Sequence, residues 1–530
     1  MTSPGARAPS RNLVLAAMIF AVAMTFIDQT IVSIAVPQIQ HQLGLSSTGV
    51  QWAVNAYLLA LAAFFAFGGR LADTRGHRQM VTLGVVVFAV ASAMCGLTPK
   101  GGLAEAWLVG FRALQGVGGA IMFPAALAIV VQTFELRERG RALALFFGIA
   151  GGLTSIGPLL GGYLTEWTWR AIFWVNIPVA IVALVLIQVS KPVTAFERAP
   201  MDYRGLALIV SGVGLSVFGF QQSAIWGWGN PGTGACVAIG AALLVVFYFV
   251  ERRTEFPLME VRIFNIRAFS VENLVLFLAM LAFVPLFFFA SEYAQISLGK
   301  TAQNAGLVLL YFFLGFVVAS QIGGRVLDRR GAKRPVLVGC LVAAAGFWLW
   351  AARMPQLNFS AQVWCIVMAG FGMGLIVTPA STDAVNRASR LSYGEATGIT
   401  QTIRNYAASL GLAILGTISV NQLRSHVTTS LIVQGVAPQA AAAEAGKIAQ
   451  SQGSHGGAVS SIPHFIRLDF AYATRAVFYV MAAVMAVAAA VALVGLQWGR
   501  QEDLAAPPAS AEGADPGGGD PAGARASLET

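Results

Sequence analysis

The sequence GRLADTRGHR at residues 69–78 recurs in altered form as GRVLDRRGAK at residues 324–333. Each copy follows one apolar stretch and precedes another, which places it between two predicted helices. Both copies carry a glycine at the eighth position, Gly76 or Gly331, and glycine permits the tight turn that two successive helices need. The repeat therefore predicts a helix–turn–helix unit that occurs once in each half of the chain.

The composition places the chain in a lipid bilayer. Of its 530 residues, 57% are hydrophobic and 11% are charged, and the mean hydropathy is +0.70, whereas soluble proteins carry about 25% charged residues. A net charge of +10 could indicate a nucleic-acid-binding protein, but the basic residues lie between apolar stretches and not on one soluble face. The four cysteines fall in apolar segments without metal-ligand spacing, so we expect neither a disulfide framework nor a metal site.

Apolar stretches of about 20 residues, the length that crosses a bilayer as a helix, occur fourteen times. The predicted spans are residues 13–36, 50–71, 80–98, 106–132, 142–164, 171–190, 205–223, 234–250, 269–290, 305–327, 335–352, 361–381, 397–421 and 474–497. We retain the first as a spanning helix, since it is too long for a signal peptide and is interrupted by Asp28.

Charge between the spans predicts the orientation. We assign about 24 Lys and Arg residues to the N-terminal side and about 7 to the other, and basic residues favour the cytoplasm. An even number of spans places both ends of the chain on one side. We therefore predict a multi-pass protein of the bacterial inner (cytoplasmic) membrane with both termini in the cytoplasm.

The repeat spacing divides the chain into parts. We predict an all-α polytopic membrane protein with six-helix bundles at residues 1–190 and 269–500, joined by two inserted helices within residues 191–268. An outward loop at 422–470 contains an alanine-rich stretch that could form a short helix; it is either a solvated surface loop or a docking site for a periplasmic adaptor protein. The tail at 501–530, rich in Pro, Gly, Ala and Asp, is expected to be disordered.

Two opposite charges lie inside the predicted spans. At about 1.5 Å per residue, Asp28 lies about 22 Å from the inner end of the first span. Arg112, six residues in from the outer end of the fourth span, lies about 21 Å above the inner face of a core about 30 Å thick. An ionisable residue at such depth is costly unless it faces a cavity or a partner. Asp28 is therefore either a carrier of an exchanged proton or a permanently paired structural acid, and Arg112 either tunes Asp28 or binds backbone carbonyls.

The fifth span is rich in small residues. It contains Gly148 and Gly152 in a GxxxG spacing and the sequence GPLLGG at residues 157–162. Small residues one turn apart let helices approach closely, and Pro158 removes a backbone hydrogen bond and bends its helix. These residues predict either a tight seal against another span or ordinary helix packing.

These motifs resemble those of the major facilitator superfamily, and in particular its fourteen-helix drug:proton antiporters. The resemblance is carried by the repeated turn and by the sequences FIDQTIVSIAVP (26–37), QWAVNAY (51–57), RALQGVGG (112–119), GPLLGG (157–162), WRAIFWVNIP (169–178), AIWGW (224–228) and GITQTIRN (398–405). In the last of these, Asn405 and the following Tyr406 depart from the usual Gln and Gly, which leaves the role of Arg404 open.

The resemblance implies roles for particular residues. Asp28 and Arg112 would couple transport to protons. The cytoplasmic gate would use Gly69, Asp73, Arg75, Gly76, Arg78, Gly324, Asp328, Gly331 and Lys333, and the antiporter motif would use Gly152, Gly157, Pro158, Gly161 and Gly162. Candidates for the lining of the substrate cavity are Gln29, Trp52, Asn55, Tyr57, Gln115 and Arg404.

The expected function is efflux of hydrophobic or cationic drug-like compounds by alternating access. The chain has no P-loop or soluble catalytic motif, so proton-motive force and not ATP would drive transport, with no cofactor and no enzymatic activity. Partners are the substrate, protons and the bilayer. Alternatives are export of one endogenous metabolite, such as a siderophore, lipid or pigment precursor, then uptake by symport, then a membrane enzyme or scaffold. Glu272 and Glu292 are expected to be interfacial, because an acid near a helix end can reach water.

Overall fold

A computed structural model describes residues 10–192, 200–388, 393–451 and 462–499. Within these ranges the regular structure is helical, with no β-strand. In the part of the chain that the structure describes, fourteen helical segments are long and apolar enough to cross a membrane. The predicted fold class and the predicted number of spans are therefore confirmed.

The N-terminal half contains seven helices that make six spans, since α6 and α7 cross as one unit. They are α1 (Arg11–Leu43), α2 (Ser47–Arg75), α3 (His77–Gly96), α4 (Ala104–Thr133), α5 (Leu136–Trp167), α6 (Ala171–Trp174) and α7 (Asn176–Ser190). The inserted pair follows as α8 (Tyr203–Trp226) and α9 (Pro231–Arg253).

The C-terminal half begins after a short 3-10 turn, Val261–Asn265. Its helices are α10 (Arg267–Ile296), α11 (Ala302–Arg330), α12 (Lys333–Arg353), α13 (Val363–Arg387), α14 (Tyr393–Val433), α15 (Pro438–Ser451) and α16 (His464–Gly495). We call the side on which α1 begins the N-terminal side, and the other the opposite side.

The two halves repeat one packing pattern. In the first half, α4 packs against α2 and α3, and α1 packs against α5. In the second, α13 packs against α11 and α12, and α10 packs against α14. Helices α1 and α10 are thus equivalent, and so are α4 and α13.

The repeated turn has the conformation that its glycines predict. Gly76 ends α2 with a φ of +98°, and Gly331 ends α11 with a φ of +78°. Both lie in the left-handed region, where a side chain is unfavourable. Their backbone N–H groups donate to the carbonyls of Ala72 and Leu327, each at 2.9 Å, which closes the last turn of each helix.

The region after the thirteenth span differs from the prediction. We expected an outward loop at 422–470, but α14 continues to Val433 and α16 begins at His464. The polar residues after residue 421 extend the helix beyond the apolar span, because a helix satisfies its backbone in water as well as in lipid. The alanine-rich stretch forms α15, which packs on α14 and buries Ala441, Ala445 and Ala449. The predicted disordered tail at 501–530 lies outside the described residues.

Candidate functional site: buried charges and the seams between the halves

Asp28 and Arg112 form an ion pair in the middle of the N-terminal half. Arg112 Nη1 lies 2.5 Å from Asp28 Oδ2, and the two side chains are 0% and 1% exposed. Because a charge at this depth needs a partner or a cavity, the pair satisfies both residues at once. The depth counted along α1 and α4 therefore predicted the contact correctly.

Further polar groups hold this pair in place. Gln115 donates from Nε2 to Asp28 Oδ1 at 2.9 Å and accepts from Arg112 Nη1 at 2.7 Å. Arg112 also donates from Nε to the carbonyl of Ala53 at 3.0 Å, and its guanidinium lies 4.5 Å from the centre of the Tyr57 ring. Gln115 and Tyr57, predicted to line the substrate cavity, are instead buried supports of the ion pair.

Glycines on α4 bring its neighbours close enough for these contacts. A Cβ atom on Gly116 would meet the carbonyl of Tyr57 on α2, and one on Gly118 would lie 2.7 Å from the backbone nitrogen of Phe88 on α3. The RALQGVGG sequence thus places a charge and a glycine surface on one helix. The close approach of α2 and α3 puts Tyr57 over Arg112.

A polar contact joins the halves near the level of Asp28. Gln29 Nε2 lies 3.5 Å from Asn405 Oδ1 on α14, and Arg404 Nη1 donates to Gln401 Oε1 at 2.9 Å. The Nε of Arg404 is buried without an acceptor in the described part of the chain. Gln29 and Arg404 therefore lie where the two halves meet, as expected of cavity residues.

Trp52 and Asn55 face the inserted helix α8. The Trp52 ring lies 5.9 Å from that of Phe218, and Asn55 donates to Gln221 Oε1 at 2.6 Å. Asn55 also accepts from the Ser409 hydroxyl of α14. In this conformation they contact α8 and not the described cavity, so their place in the substrate cavity stays a prediction; helix count gives depth but not the side on which α8 packs.

The inserted helix thereby joins α2 to α14 through hydrogen bonds. Besides the Asn55 contacts, Ser223 donates to Thr417 Oγ1 at 3.2 Å, and the hydroxyls of Ser216 and Tyr406 lie 3.0 Å apart. This seam between the halves is polar over residues 216–223 of α8, whereas Ile209 and Val213 nearer its start are buried in a hydrophobic cluster.

The other seam joins α5 and α11 through backbone contact. A Cβ atom on Gly162 would lie 2.8 Å from the carbonyl oxygen of Ala302, and one on Gly306 would meet the carbonyl of Pro158. Gly157 and Gly161 take the equivalent contacts against α1. These contacts lie toward the opposite side, so the two halves are closed on one another there.

Gly152 does not share this role. It is exposed, and neither Gly148 nor Gly152 has a neighbouring atom within 4 Å of an added Cβ. The predicted GxxxG contact is therefore wrong in this conformation, because both glycines lie on an exposed face of α5, whereas Phe146 and Phe147 make the contact with Phe123 of α4.

The Trp169–Arg170 junction anchors the end of α5. Arg170 donates from Nη1 to the carbonyls of Gly96 and Thr98 at 2.9 and 3.0 Å, and its guanidinium lies 4.5 Å from the centre of the Trp169 ring. Partial burial lowers the pKa of Arg170 from its ordinary value. The junction fixes the start of the sixth span against the end of α3.

The first copy of the repeated turn is an exposed charged surface at the N-terminal side. Asp73 is exposed, with Oδ1 3.8 Å from His77 Nε2, and Arg75 is exposed beside it. Arg78 donates to Gln188 Oε1 at 2.9 Å, which ties the turn to α7. Gly69 packs against Pro124 of α4.

The second copy is anchored differently. Lys333 is buried with its Nζ 4.7 Å from the centre of the Trp498 ring, whereas Asp328 is exposed. A Cβ atom on Gly324 would meet no neighbour within 4 Å. Only the turn glycine therefore has the same conformational role in both copies.

A cavity of about 410 Å³ lies on the N-terminal side beside the first turn. Its walls come from the ends of α2 and α4, the start of α14 and the segment 255–260 that follows the inserted helices. Arg70 and Asp73 line it together with the acidic residues Glu255, Glu260 and Glu395. The space is therefore both apolar and acidic.

Glu272 and Glu292 are buried, at 0% and 8% exposure. The expectation that they lie at the interface with water is wrong, because other helices cover both ends of α10. Glu272 lies near Asp383 and Arg387 of α13, a pair that the sequence reasoning missed. An acid and an arginine one turn apart, inside a span, is the signal that could have found it.

The chain is similar to known proteins in sequence and in fold. The family model described as Major Facilitator Superfamily matches residues 18–412. The tetracenomycin C resistance and export protein of Streptomyces glaucescens is 32% identical over 90% of both chains. The puromycin resistance protein of Streptomyces alboniger is 32% identical over 79% of this chain and 84% of that one. The multidrug resistance protein Stp of Mycobacterium tuberculosis is 29% identical over 79% and 80%.

Solved structures agree in fold. A bacterial homologue of the human lysosomal transporter Spinster, inward-facing and unoccupied, matches with a TM-score of 0.59 and 16% identity, covering 92% of this chain and 96% of that one. The xylose transporter XylE of E. coli, partially occluded and inward open, matches with a TM-score of 0.58 and 11% identity over 92% and 98%. With fourteen spans, the repeated turn and a family match over more than half of its length, the chain belongs to the major facilitator superfamily.

Proposed function

We propose that the chain exports hydrophobic or cationic drug-like compounds in exchange for protons. The observation that carries this proposal is the fully buried Asp28–Arg112 pair between α1 and α4. A carboxylate held by a single guanidinium can gain a proton when the arginine moves, and it needs no cofactor to do so. The relatives named for drug resistance and export support the direction of transport.

The contacts between the halves suggest how access alternates. The halves meet closely toward the opposite side at Gly162 and Gly306, and a cavity lies on the N-terminal side. We assign this arrangement to the state that is open to the cytoplasm. Rocking of the halves would open the α5–α11 seam and expose the substrate to the other side.

The charge of the cavity fits the proposed substrates. Asp73, Glu255, Glu260 and Glu395 line it beside apolar residues, so a cationic amphipathic compound finds both a counter-charge and an apolar wall. The space would serve as an entry vestibule from the cytoplasm.

The proposal is tested with the purified chain in proteoliposomes. A lumen made acidic relative to the bath should drive accumulation of a substrate inside, because protons leave as the compound enters. A protonophore should abolish the accumulation. Accumulation that does not depend on the imposed pH gradient would contradict proton exchange.

Export of a single compound is the second candidate. It is favoured by relatives named for one antibiotic each, tetracenomycin C, puromycin or cephamycin. Deletion of the gene, followed by sensitivity profiling over a compound panel, separates the two. Hypersensitivity to many unrelated compounds supports multidrug efflux, and a phenotype confined to one endogenous product supports dedicated export.

The proposed orientation in the inner membrane, with both termini in the cytoplasm, has its own test. A cysteine at Gly232, at the start of α9, should react with a membrane-impermeant reagent from the periplasm. A cysteine at Arg334, at the start of α12, should react only after permeabilisation. Reversed labelling would overturn the orientation. Gly456, in the loop where we predict a periplasmic adaptor could dock, lies outside the described residues.

A further inference from the structure

Glu272 is a buried acid without a hydrogen-bond donor. It lies five residues after the start of α10 and is 0% exposed. Neither of its carboxyl oxygens accepts a hydrogen bond from an N–H or hydroxyl group among the described residues, and the polar group that it meets is the carboxyl group of Asp383. Buried charged groups in proteins are ordinarily paired or hydrogen-bonded, because an unpaired carboxylate away from water is expensive.

The charged groups that act on Glu272 come from α13. They are Asp383, itself 1% exposed, and Arg387. Arg387 is already bound, since its Nε donates to Asp383 Oδ2 at 2.6 Å. The cluster therefore holds two acids and one base inside the helical bundle.

Among the described residues, Arg387 is the one base that acts on Glu272. Cys340 of α12 is the further titratable group near Glu272. Arg267, at the start of α10, donates instead to the carbonyl of Val494 at the end of α16. The surroundings are apolar, with Phe269 and Ala384 buried in the same hydrophobic cluster.

This arrangement favours a proton on the cluster. Two carboxylates that share one guanidinium leave a net negative charge in an apolar site, whereas one added proton makes the site neutral. Arg387 binds Asp383, so the proton resides on Glu272. Release would convert the Glu272 carboxylic acid to a carboxylate and pass the proton to water on the N-terminal side.

We propose that Glu272, with Asp383 and Arg387, forms a second proton-binding site of this transporter, which loads and releases a proton during the transport cycle. A movement of α13 that brings Arg387 between the two carboxylates would release the proton, since a guanidinium can bind both. The transport role rests on the proposed function, whereas the bound proton can be detected without transport.

The bound proton is tested by infrared spectroscopy of the full chain in lipid. The wild type should show the carbonyl stretch of a protonated carboxylic acid that disappears as the pH is raised. Glu272→Gln should remove this titrating signal. Glu166→Gln, at an exposed acid near the end of α5, is the matched control and should retain it. A wild type without such a signal, or a Glu272→Gln variant that keeps it in full, would overturn the proposal.

A second variant guards against misfolding of the first. In Asp383→Asn, Arg387 loses its partner and can bind Glu272, which favours the Glu272 carboxylate. The signal should then disappear at a lower pH than in the wild type. An unchanged titration in this variant would also overturn the proposal.

The transport role is measured as protons exchanged per substrate in proteoliposomes, from the pH gradient that just balances a known substrate gradient. Glu272→Gln should exchange one proton fewer than the wild type, and Glu166→Gln should match the wild type. An unchanged proton number in Glu272→Gln would overturn the transport role. Absence of proton-driven transport in the wild type would instead overturn the proposed function, and the infrared result would stand independently.

Discussion

The two halves of the transporter share their packing pattern and differ in the acid that stands on their first helix. Asp28 of α1 is bound by Arg112 and Gln115 of α4. Glu272 of the equivalent α10 has no donor within the described residues, and the arginine of α13 is bound to a different acid. The first site is a neutral ion pair and the second is neutral only when protonated. One fold therefore holds a buried carboxyl group in two ways.

The two acids also differ in depth. Asp28 lies seventeen residues into α1, about 25 Å from the N-terminal side, whereas Glu272 lies five residues into α10, about 8 Å from it. A proton on Glu272 has a short path to water on the N-terminal side. A proton on Asp28 has to reach the centre of the membrane, where the substrate is also expected. We therefore expect Asp28 to couple proton movement to substrate export and Glu272 to carry an additional proton.

The largest difference between the halves should appear when each acid is neutralised. Asp28→Asn should abolish uphill export, because the fixed neutral group cannot exchange a proton, while binding of an uncharged substrate survives. Glu272→Gln should retain uphill export with fewer protons per substrate. Substrate accumulation in proteoliposomes with an acidic lumen measures both. If Asp28→Asn retained uphill export and Glu272→Gln lost it, Glu272 and not Asp28 would be the acid required for coupling.

A second difference concerns stability. Arg112→Ala leaves Asp28 without its cation, and breaking a buried ion pair costs about 3–5 kcal/mol. Arg387 lies near the end of α13 with its side chain 14% exposed, so water can partly replace it. We expect Arg387→Ala to lower the free energy of unfolding by less. Thermal unfolding of the two purified variants in one detergent compares their stabilities. An equal loss of stability in both would contradict the expectation that the deeper ion pair contributes more.

Arg112→Ala should also move the pH dependence of transport. Without a nearby positive charge the neutral form of Asp28 is favoured, so it keeps its proton at higher pH and the rate profile moves to alkaline pH. Glu166→Gln, at an exposed acid that belongs to neither buried site, serves as the control and should leave the alkaline limb in place. The initial rate of export against pH, with the gradient held constant, reports this. An acid shift in Arg112→Ala would contradict the role of Arg112 as the partner of Asp28.

The smallest expected effect concerns the two turns. Asp73 lines the cavity on the N-terminal side beside the first copy of the repeated turn, whereas Asp328 is exposed at the second copy. Asp73→Asn should leave insertion intact and slow turnover roughly fivefold, because an exposed charged contact contributes at most about 1 kcal/mol. Asp328→Asn should change the rate less. Equal rates in Asp73→Asn and the wild type would contradict the role of Asp73 in the cytoplasmic gate.

Sequence reasoning reached the features that depend on counting along a helix. The fourteen spans, the turns at Gly76 and Gly331, and the Asp28–Arg112 contact all follow from the length of a span and the rise per residue. The features it missed depend on which face of a helix meets which neighbour. Asn55 binds the inserted helix and not the cavity, and Gly152 meets no helix. The rotation of each helix about its own axis decides which face meets which neighbour. Tertiary packing sets that rotation, and the sequence of one helix does not specify it.

The burial of Glu272 belongs to the same class. Its position near a helix end predicted contact with water. Residues of α12 and α13, which are far away in sequence, bury it instead. The length of α14 was missed for a different reason, since hydropathy marks the end of lipid contact and not the end of a helix.

The central claim is that Asp28 carries the exchanged proton, and proton movement driven by substrate tests it most directly. Proteoliposomes with equal pH on both sides and a pH-sensitive dye in the lumen receive a substrate gradient. In the wild type, protons should move in the direction opposite to the substrate. In Asp28→Asn the substrate should still move down its own gradient, but the pH change per substrate should lose the part that Asp28 contributes. A pH change in Asp28→Asn as large per substrate as in the wild type would contradict the account.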